Sequence, residues 1–373
     1  MKVKIHTLFQ YLLDTTQSDP EAFIGFSLAE PPKLGDFLNF LDPEMPLDWN
    51  LKSFRGLPEL RQRVIDQANL QDCCKADDVL ITAGAAEANY LAFMQLVEPG
   101  DEVVTETPGW PQIEVLAKAR QAKVNLVKRD EANGWDFPMD QLENLVTDKT
   151  RLIFLTNPNN PTGSVMTDEE MTAIASIART NDAYVHSDEV YRGSELGGKE
   201  TRSFVEFYEK AIVCCGLSKS FAHPGLRIGW LVANEKLIEE IWAHKDYTSL
   251  CASVLSQEIA IKIMTKKTRG LVLSRSSEML NNNLNLFQSW LDSHDGLFTF
   301  VPPQAGGMAF VGYKMSINSM ELAHKLRTEQ SVLIVPGDCY GMDGYLRFGI
   351  GSHSDYLSQG LELVSNGIKS IGC

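Results

Sequence analysis

The residue of this chain with the plainest chemical use is a lysine that follows a buried strand. Lys219, in Gly216-Leu217-Ser218-Lys219, comes after the apolar run Ala211 to Cys215 and before Phe221 and the turn Pro224-Gly225-Leu226. An amine placed there is desolvated, and its neutral form attacks carbonyls and accepts protons. A lone lysine is ordinarily solvated surface, so Lys219 counts only in company. Four further apolar runs also end in useful polar or small residues. They lead into Gly84-Ala85-Ala86-Glu87, Pro108-Gly109-Trp110, Asn157-Pro158-Asn159-Asn160-Pro161-Thr162-Gly163 and Asp188-Glu189-Val190-Tyr191. Ligands of open α/β sheets sit beyond the carboxyl ends of the strands, which is where these five segments fall.

The elements that must position them are legible between about residues 77 and 234. Short apolar or β-branched runs, at 78–82, 102–105, 152–156, 183–187 and 211–215, alternate with helical spacing. Glu169 to Thr180 reads as one such helix, with Thr167 or Asp168 as its cap. The alternation predicts a largely parallel sheet with helices on both faces. From about Ser274 the pattern changes to a helix reaching Leu291 and β-like pieces at 297–301, 308–311 and 345–350, which predicts an α+β unit. A chain of 373 residues exceeds the size at which one core keeps growing. We therefore expect a large domain over residues 46–270 and a small one over 1–45 and 271–373.

Together, a lysine, a strand-end aspartate, an asparagine, a tyrosine, an aromatic face and a small-residue turn of phosphate size are what pyridoxal 5'-phosphate requires. The segments Asn-Pro-x-Asn-Pro-Thr-Gly at 157–163, Ser-Asp-Glu-Val-Tyr at 187–191 and Ser-Lys-Ser-Phe-x-x-Pro-Gly-Leu-Arg-Ile-Gly-Trp at 218–230 resemble the class I/II aminotransferase family in order and spacing. The resemblance spans essentially the whole chain. It implies the fold type I of pyridoxal-phosphate transferases: a mostly parallel seven-stranded sheet flanked by helices, plus a smaller α+β domain.

The resemblance also assigns roles. Lys219 would hold the cofactor aldehyde and take the Cα proton, and Asp188 would pair with the pyridine nitrogen. Asn160 and Tyr191 would hydrogen-bond the ring oxygen, and Trp110 would stack on the ring. Gly84, Ala85, Ala86, Ser218 and Arg227 would cradle the phosphate, the first three at a helix start. Arg347, in Tyr345-Leu346-Arg347-Phe348-Gly349, would clamp the substrate carboxylate, with Asn160 beside it. Asn157 and Asn159 read as loop hydrogen-bonders. Family members often carry Ser or Thr where Ala86 stands and Ser where Gly216 stands, so backbone donors must do more here. A family tyrosine donated across a dimer interface is replaced by Leu51, with Tyr247 as a candidate substitute.

The implied enzyme joins a free L-amino acid to its cofactor and removes the Cα proton. We expect an aminotransferase. The alternative is a cyclodehydratase resembling capreomycidine synthase, which eliminates a hydroxyl from a hydroxylated arginine and closes a cyclic guanidine. Segments such as Asp246-Tyr247-x-x-Leu and 333–337 are shared by that subgroup and do not separate the two. A carboxylate on the substrate side, with Glu30 or Asp14 as candidates, would favour a guanidinium; an apolar lining would favour ordinary amino acids.

Charge and composition exclude other classes. A formal charge of −15 with no basic run disfavours nucleic acid as a partner. No apolar run has membrane-spanning length, and polar residues interrupt the N-terminal segment before it could form a signal-peptide core. Seven cysteines without Cys-x-x-Cys spacing indicate neither a disulfide framework nor a zinc site, which fits the cytoplasm. No metal is expected, and the family implies a homodimer.

Overall fold

A computed structural model describes residues 2–14, 16–38, 41–45, 48 and 54–371. In chain order its strands are β1 (Ala22–Phe23), β2 (Val79–Thr82), β3 (Glu102–Thr107), β4 (Lys123–Lys128), β5 (Thr150–Thr156), β6 (Tyr184–Asp188), β7 (Ala211–Gly216), β8 (Gly229–Val232), β9 (Phe298–Phe300), β10 (Met308–Tyr313), β11 (Val332–Leu333), β12 (Val335–Pro336) and β13 (Tyr345–Gly349). Strands β2 to β8 form one seven-stranded sheet in the order β2-β8-β7-β6-β5-β3-β4. β8 is antiparallel to both neighbours and the other pairs are parallel. This is the expected fold class.

Both faces of the sheet are covered, which is why the central strands read as unbroken apolar runs. On one face the helices Ala85–Leu96 and Glu235–Lys245 pack with Leu91, Phe93, Leu231 and Ile238 in a common core. On the other, Pro58–Ala68, Asp168–Thr180 and Val254–Ile263 bury Ile65, Ile153, Ile174 and Ile259. Helix Asp168–Thr180 starts as its sequence predicts: Thr167 Oγ1 accepts from Glu170 N, and Thr167 N donates to Glu170 Oε2. Such a reciprocal cap stabilises a helix start by about 1 kcal/mol.

Two strands of the sheet escape the pattern reading. Lys123-Val-Asn-Leu-Val-Lys is an edge strand of alternating polarity with exposed ends, and Gly229-Trp-Leu-Val is short and hidden in the motif that follows Lys219. Strands β5, β6 and β7 extend the sheet one way and β3 and β4 the other, so the order reverses between β3 and β5. A crevice opens at the carboxyl ends of strands where such a reversal occurs.

A second layer is antiparallel, in the order β12-β13-β10-β9. The helices Lys266–Asp292, Ser319–Gln330 and Ser354–Ile371 pack on it around Phe287, Leu326, Phe310, Phe348 and Val364. β1 pairs in parallel with β11, and Gly349 N donates to Ile24 O at 2.7 Å. A Cβ on Gly349 would fall 2.0 Å from Phe26 O, so only glycine lets the segment 24–28 lie against the end of β13. That segment and the short helix Thr7–Leu12 form the roof of the crevice.

Candidate active site

A cavity of about 280 Å³ lies at the carboxyl ends of the strands. Its wall includes Lys219, Asp188, Asn160, Tyr191, Trp110, Ala85, Ala86, Ser218, Arg227 and Arg347, so the structure brings together residues that are far apart in sequence. Gly84 stands just behind that wall, against Arg227.

Asp188 is the last residue of β6 and is buried. Its Oδ2 accepts from Asn89 Nδ2 at 2.8 Å and its Oδ1 from Val190 N at 3.2 Å. Burial raises the carboxyl to about 6, against the pull of those two donors and of Lys219. Lys219 Nζ donates to Ser27 Oγ at 2.9 Å. Burial lowers its amine to about 7, the charge on Arg347 and Arg227 acts in the same sense, and Asp188 opposes them. A lysine with that value is substantially neutral near neutral pH. Tyr191 OH shares a 2.8 Å hydrogen bond with the same Ser27 Oγ, and burial pushes its phenol up to about 12.

Arg347 sits in β13, 3 % exposed, opposite Phe310 and Val335. Its Nη1 donates to Asn160 Oδ1 at 3.0 Å and to Tyr340 OH, and its Nη2 donates to Gly25 O at 2.7 Å. The guanidinium is thus oriented on three sides by neutral acceptors, and among the described residues no carboxylate pairs with it. Its Nε is buried without an acceptor. A buried arginine so arranged awaits an anion.

At the opposite end, Arg227 Nη1 lies 3.3 Å from Ser218 Oγ, and Nη2 donates to Ala83 O at 3.4 Å. Gly84 caps the helix Ala85–Leu96 at φ +94°, and a Cβ there would fall 2.1 Å from Arg227 Nη2. Bonds to Gly84 O begin with Glu87 N and Ala88 N, so the preceding N–H groups of Ala85 and Ala86 are those a helix start offers to an anion. Trp110 Nε1 donates to Gln112 Oε1 at 3.2 Å, which fixes the indole in the cavity wall.

Several contributors have no counterpart in the sequence reading: Ser27, Asn89, Gln112, Tyr340 and Thr156. Gln112 Oε1 accepts from both Trp110 and Asn89, and its Nε2 donates to Ala86 O at 2.8 Å, so one side chain links the ring wall, the Asp188 support and the anion site. Asn89 did carry a signal, an amide within the apolar stretch Ala88 to Leu96, where an unpaired polar group is costly. Asn157 Oδ1 accepts from Met166 N and Asn159 Oδ1 from Thr162, both within the loop. Tyr247 is 91 % exposed and is not part of the wall. Asp14 is half-buried, bonded to Thr16 and not part of this wall, and Glu30 lines a neighbouring cavity that shares Phe26 and Leu28 with this one. Leu51 lies outside the described residues.

A lysine of lowered basicity and a buried carboxylate thus lie between two arginines, Arg347 and Arg227, at opposite ends of one cavity. The model of aminotransferase class I and II matches residues 49–362, and the chain belongs to this family. The aspartate aminotransferase of Thermotoga maritima is 27% identical over 85% of this chain and 82% of its own length. Capreomycidine synthase of Streptomyces vinaceus is 28% identical over 77% of this chain and 73% of its own. A crystal structure of a PLP-dependent aminotransferase from Streptococcus suis 89-1591 superposes with a TM-score of 0.91 at 28% identity, covering 100% of both chains.

The family implies pyridoxal phosphate, and the residues present fit it. The glycine at 84 leaves Arg227 its place at the anion end, and Arg347 Nε, Thr156 Oγ1 and Asn89 Oδ1 are buried without partners around the cavity. Among the described residues no cluster could hold a metal ion, and no helix is long and apolar enough to cross a membrane.

Proposed function

We propose that the protein is a pyridoxal-phosphate aminotransferase whose amino-acid substrate carries an apolar side chain. The observation that carries this reading is the composition of the cavity. Lys219 and Asp188 face it from the sheet and Arg347 from β13, while the roof contributes the apolar side chains of Leu8, Phe9, Leu12, Phe26 and Leu28 beside Ser27. Among the described lining residues the cations are Lys219, Arg227 and Arg347, and the carboxylate is Asp188. With those engaged, no charged group in this wall remains for an acidic or guanidinium side chain.

When bound, the cofactor supplies the aldehyde that links to amines and a pyridine ring that accepts the electrons of a bond broken at Cα. Ser218, Arg227, the N–H groups of Ala85 and Ala86 and the turn at Gly84 hold its phosphate. Asp188, supported by Asn89, would keep the ring nitrogen protonated, Trp110 would pack against the ring, and Asn160 and Tyr191 would donate to the ring oxygen. Arg347 would grip the substrate carboxylate and so orient the bonds at Cα. Lys219, the base, would take the proton from Cα and hold it at Nζ for its return in transamination. A homodimer and a cytoplasmic location belong to the same proposal, the former tested by sedimentation of the active species.

A second reading, elimination and ring closure on a hydroxylated arginine, draws on the similarity to capreomycidine synthase and on the Glu30 carboxylate in the adjoining cavity. One experiment separates the two. Holo-protein is mixed with phenylalanine, leucine, aspartate and hydroxylated arginines, and spectrum and products are followed. Transamination of apolar substrates yields a stoichiometric pyridoxamine form that 2-oxo acids reverse. Dehydrated or cyclic product without keto acid refutes it.

A further inference from the structure

Ser27 lies 192 positions from Lys219 in sequence, yet its Oγ is the hydrogen-bond acceptor of the Lys219 amine at 2.9 Å. The same oxygen is 2.8 Å from Tyr191 OH, and Ser27 is 2 % exposed. We propose that Ser27 is a positioning residue of the reaction: its hydroxyl, anchored on Tyr191, holds the free Lys219 amine in the orientation from which it takes the proton off the substrate carbon. This rests on Lys219 being the base.

A neutral amine has two N–H bonds and one lone pair. Donation of one N–H to Ser27 Oγ restricts the lone pair to directions away from Ser27. The serine accepts from Nζ and can give its own proton to Tyr191 OH, an arrangement that would leave the tyrosine proton for the ring oxygen. When the Cα–H bond breaks, its electron pair stays with the substrate and the proton becomes the third N–H of an ammonium at Nζ. Ser27 Oγ then accepts from a cation, a stronger bond than the one it replaced.

Ser27 also lies two residues from Gly25, whose carbonyl accepts from Arg347 Nη2 at 2.7 Å. One short stretch of backbone therefore touches both the group that would grip the carboxylate and the group that would take the proton. A substrate that settles on Arg347 bears on the strand that holds the base. The charged and titratable groups that face the amine are Arg347 from β13, Asp188 from β6, Arg227 beyond the end of β7, and Tyr191. The two arginines and burial favour the neutral amine and Asp188 favours the charged one, so the acceptor at Ser27 adds to the side of Asp188.

The test compares wild type with Ser27→Ala, Ser27→Thr and Tyr191→Phe. In the cofactor-free protein, the pH dependence of acetylation of the Lys219 amine by acetic anhydride, read by peptide mass spectrometry, reports its ionisation. Ser27→Ala is expected to lower the inflection by about 0.7 unit, the worth of one net hydrogen bond. Tyr191→Phe lowers it by less, and Ser27→Thr restores it. With cofactor bound, Ser27→Ala lowers kcat roughly 10- to 100-fold and enlarges the isotope effect of an α-deuterated substrate, with KM and thermal melting near wild type. An unchanged inflection in Ser27→Ala, or activity lost through KM with the isotope effect unchanged, overturns the inference. Borohydride reduction of the loaded protein separates this from failure of the underlying reading: a pyridoxyl label absent from Lys219 removes the base itself.

Discussion

Gly84→Ala probes the anion end of the cavity with one added methyl group. At φ +94° and ψ 162° the residue occupies backbone space nearly closed to other amino acids, and the new Cβ would lie 2.1 Å from Arg227 Nη2 and 2.8 Å from its Cζ. The backbone strain costs about 1–3 kcal/mol of stability. The collision is relieved more cheaply, because a guanidinium on a flexible stem swings aside. In doing so it leaves Ser218 Oγ and Ala83 O and, with them, the site we assign to phosphate. A charge-assisted hydrogen bond contributes about 1.5–3 kcal/mol, so affinity for pyridoxal phosphate is expected to fall roughly 10- to 150-fold. The assay is a spectrophotometric titration of cofactor-free protein with pyridoxal phosphate and, separately, with pyridoxal. Both aldehydes react with the same lysine, but only one carries the phosphate. Arg227→Met should reproduce the selective loss. Equal weakening of both ligands, or no weakening of either, would refute the placement of the phosphate at Gly84, Ser218 and Arg227.

Lys219, lowered to about 7, must be neutral to act as base, and Asp188, raised to about 6, must be ionised to hold the ring proton. Activity should therefore fall as pH drops through 7 and then 6, and Asn89→Leu should move the Asp188 limb upward by about 0.7 unit through the lost donor; pH profiles of kcat check both. His186 is fully buried with neither ring nitrogen bonded, and burial lowers it to about 3. The unfolded chain takes up a proton below about 6.5 that folded His186 refuses, so stability falls as pH drops from there toward 3. His186→Leu should flatten that decline in urea titrations and add about 1 kcal/mol at pH 7. Phe9→Ala, at the apolar wall, should lower kcat/KM for phenylalanine roughly 10- to 100-fold while leaving alanine nearly unaffected.

The parts of the site that were legible in sequence share one property: each lies within a few residues of a strand end. Asp188, Asn160, Trp110, Ser218 and Lys219 all follow strands whose apolar runs announce themselves, so sheet topology alone delivers them to a common crevice. Tyr247 shows the converse. It had no strand to place it, and it stands 91 % exposed. β4 and β8 were harder to see because one alternates at an edge and the other is four residues long.

What the chain determined by itself is the cofactor end of the site and the fold that presents it, because those signals are local: hydrophobic runs, caps, and small or charged residues at strand termini. Only the tertiary structure decided the substrate end beyond Arg347 and Asn160. Leu8, Phe9 and Leu12 lie in one short helix and Gly25 and Ser27 in a stretch outside helix and strand, drawn over the crevice by β1 on β11 and by the close approach of Phe26 to Gly349. Contacts between residues 192 apart, such as Ser27 with Lys219, depend on how two separately formed layers meet. No periodicity within either segment encodes that meeting.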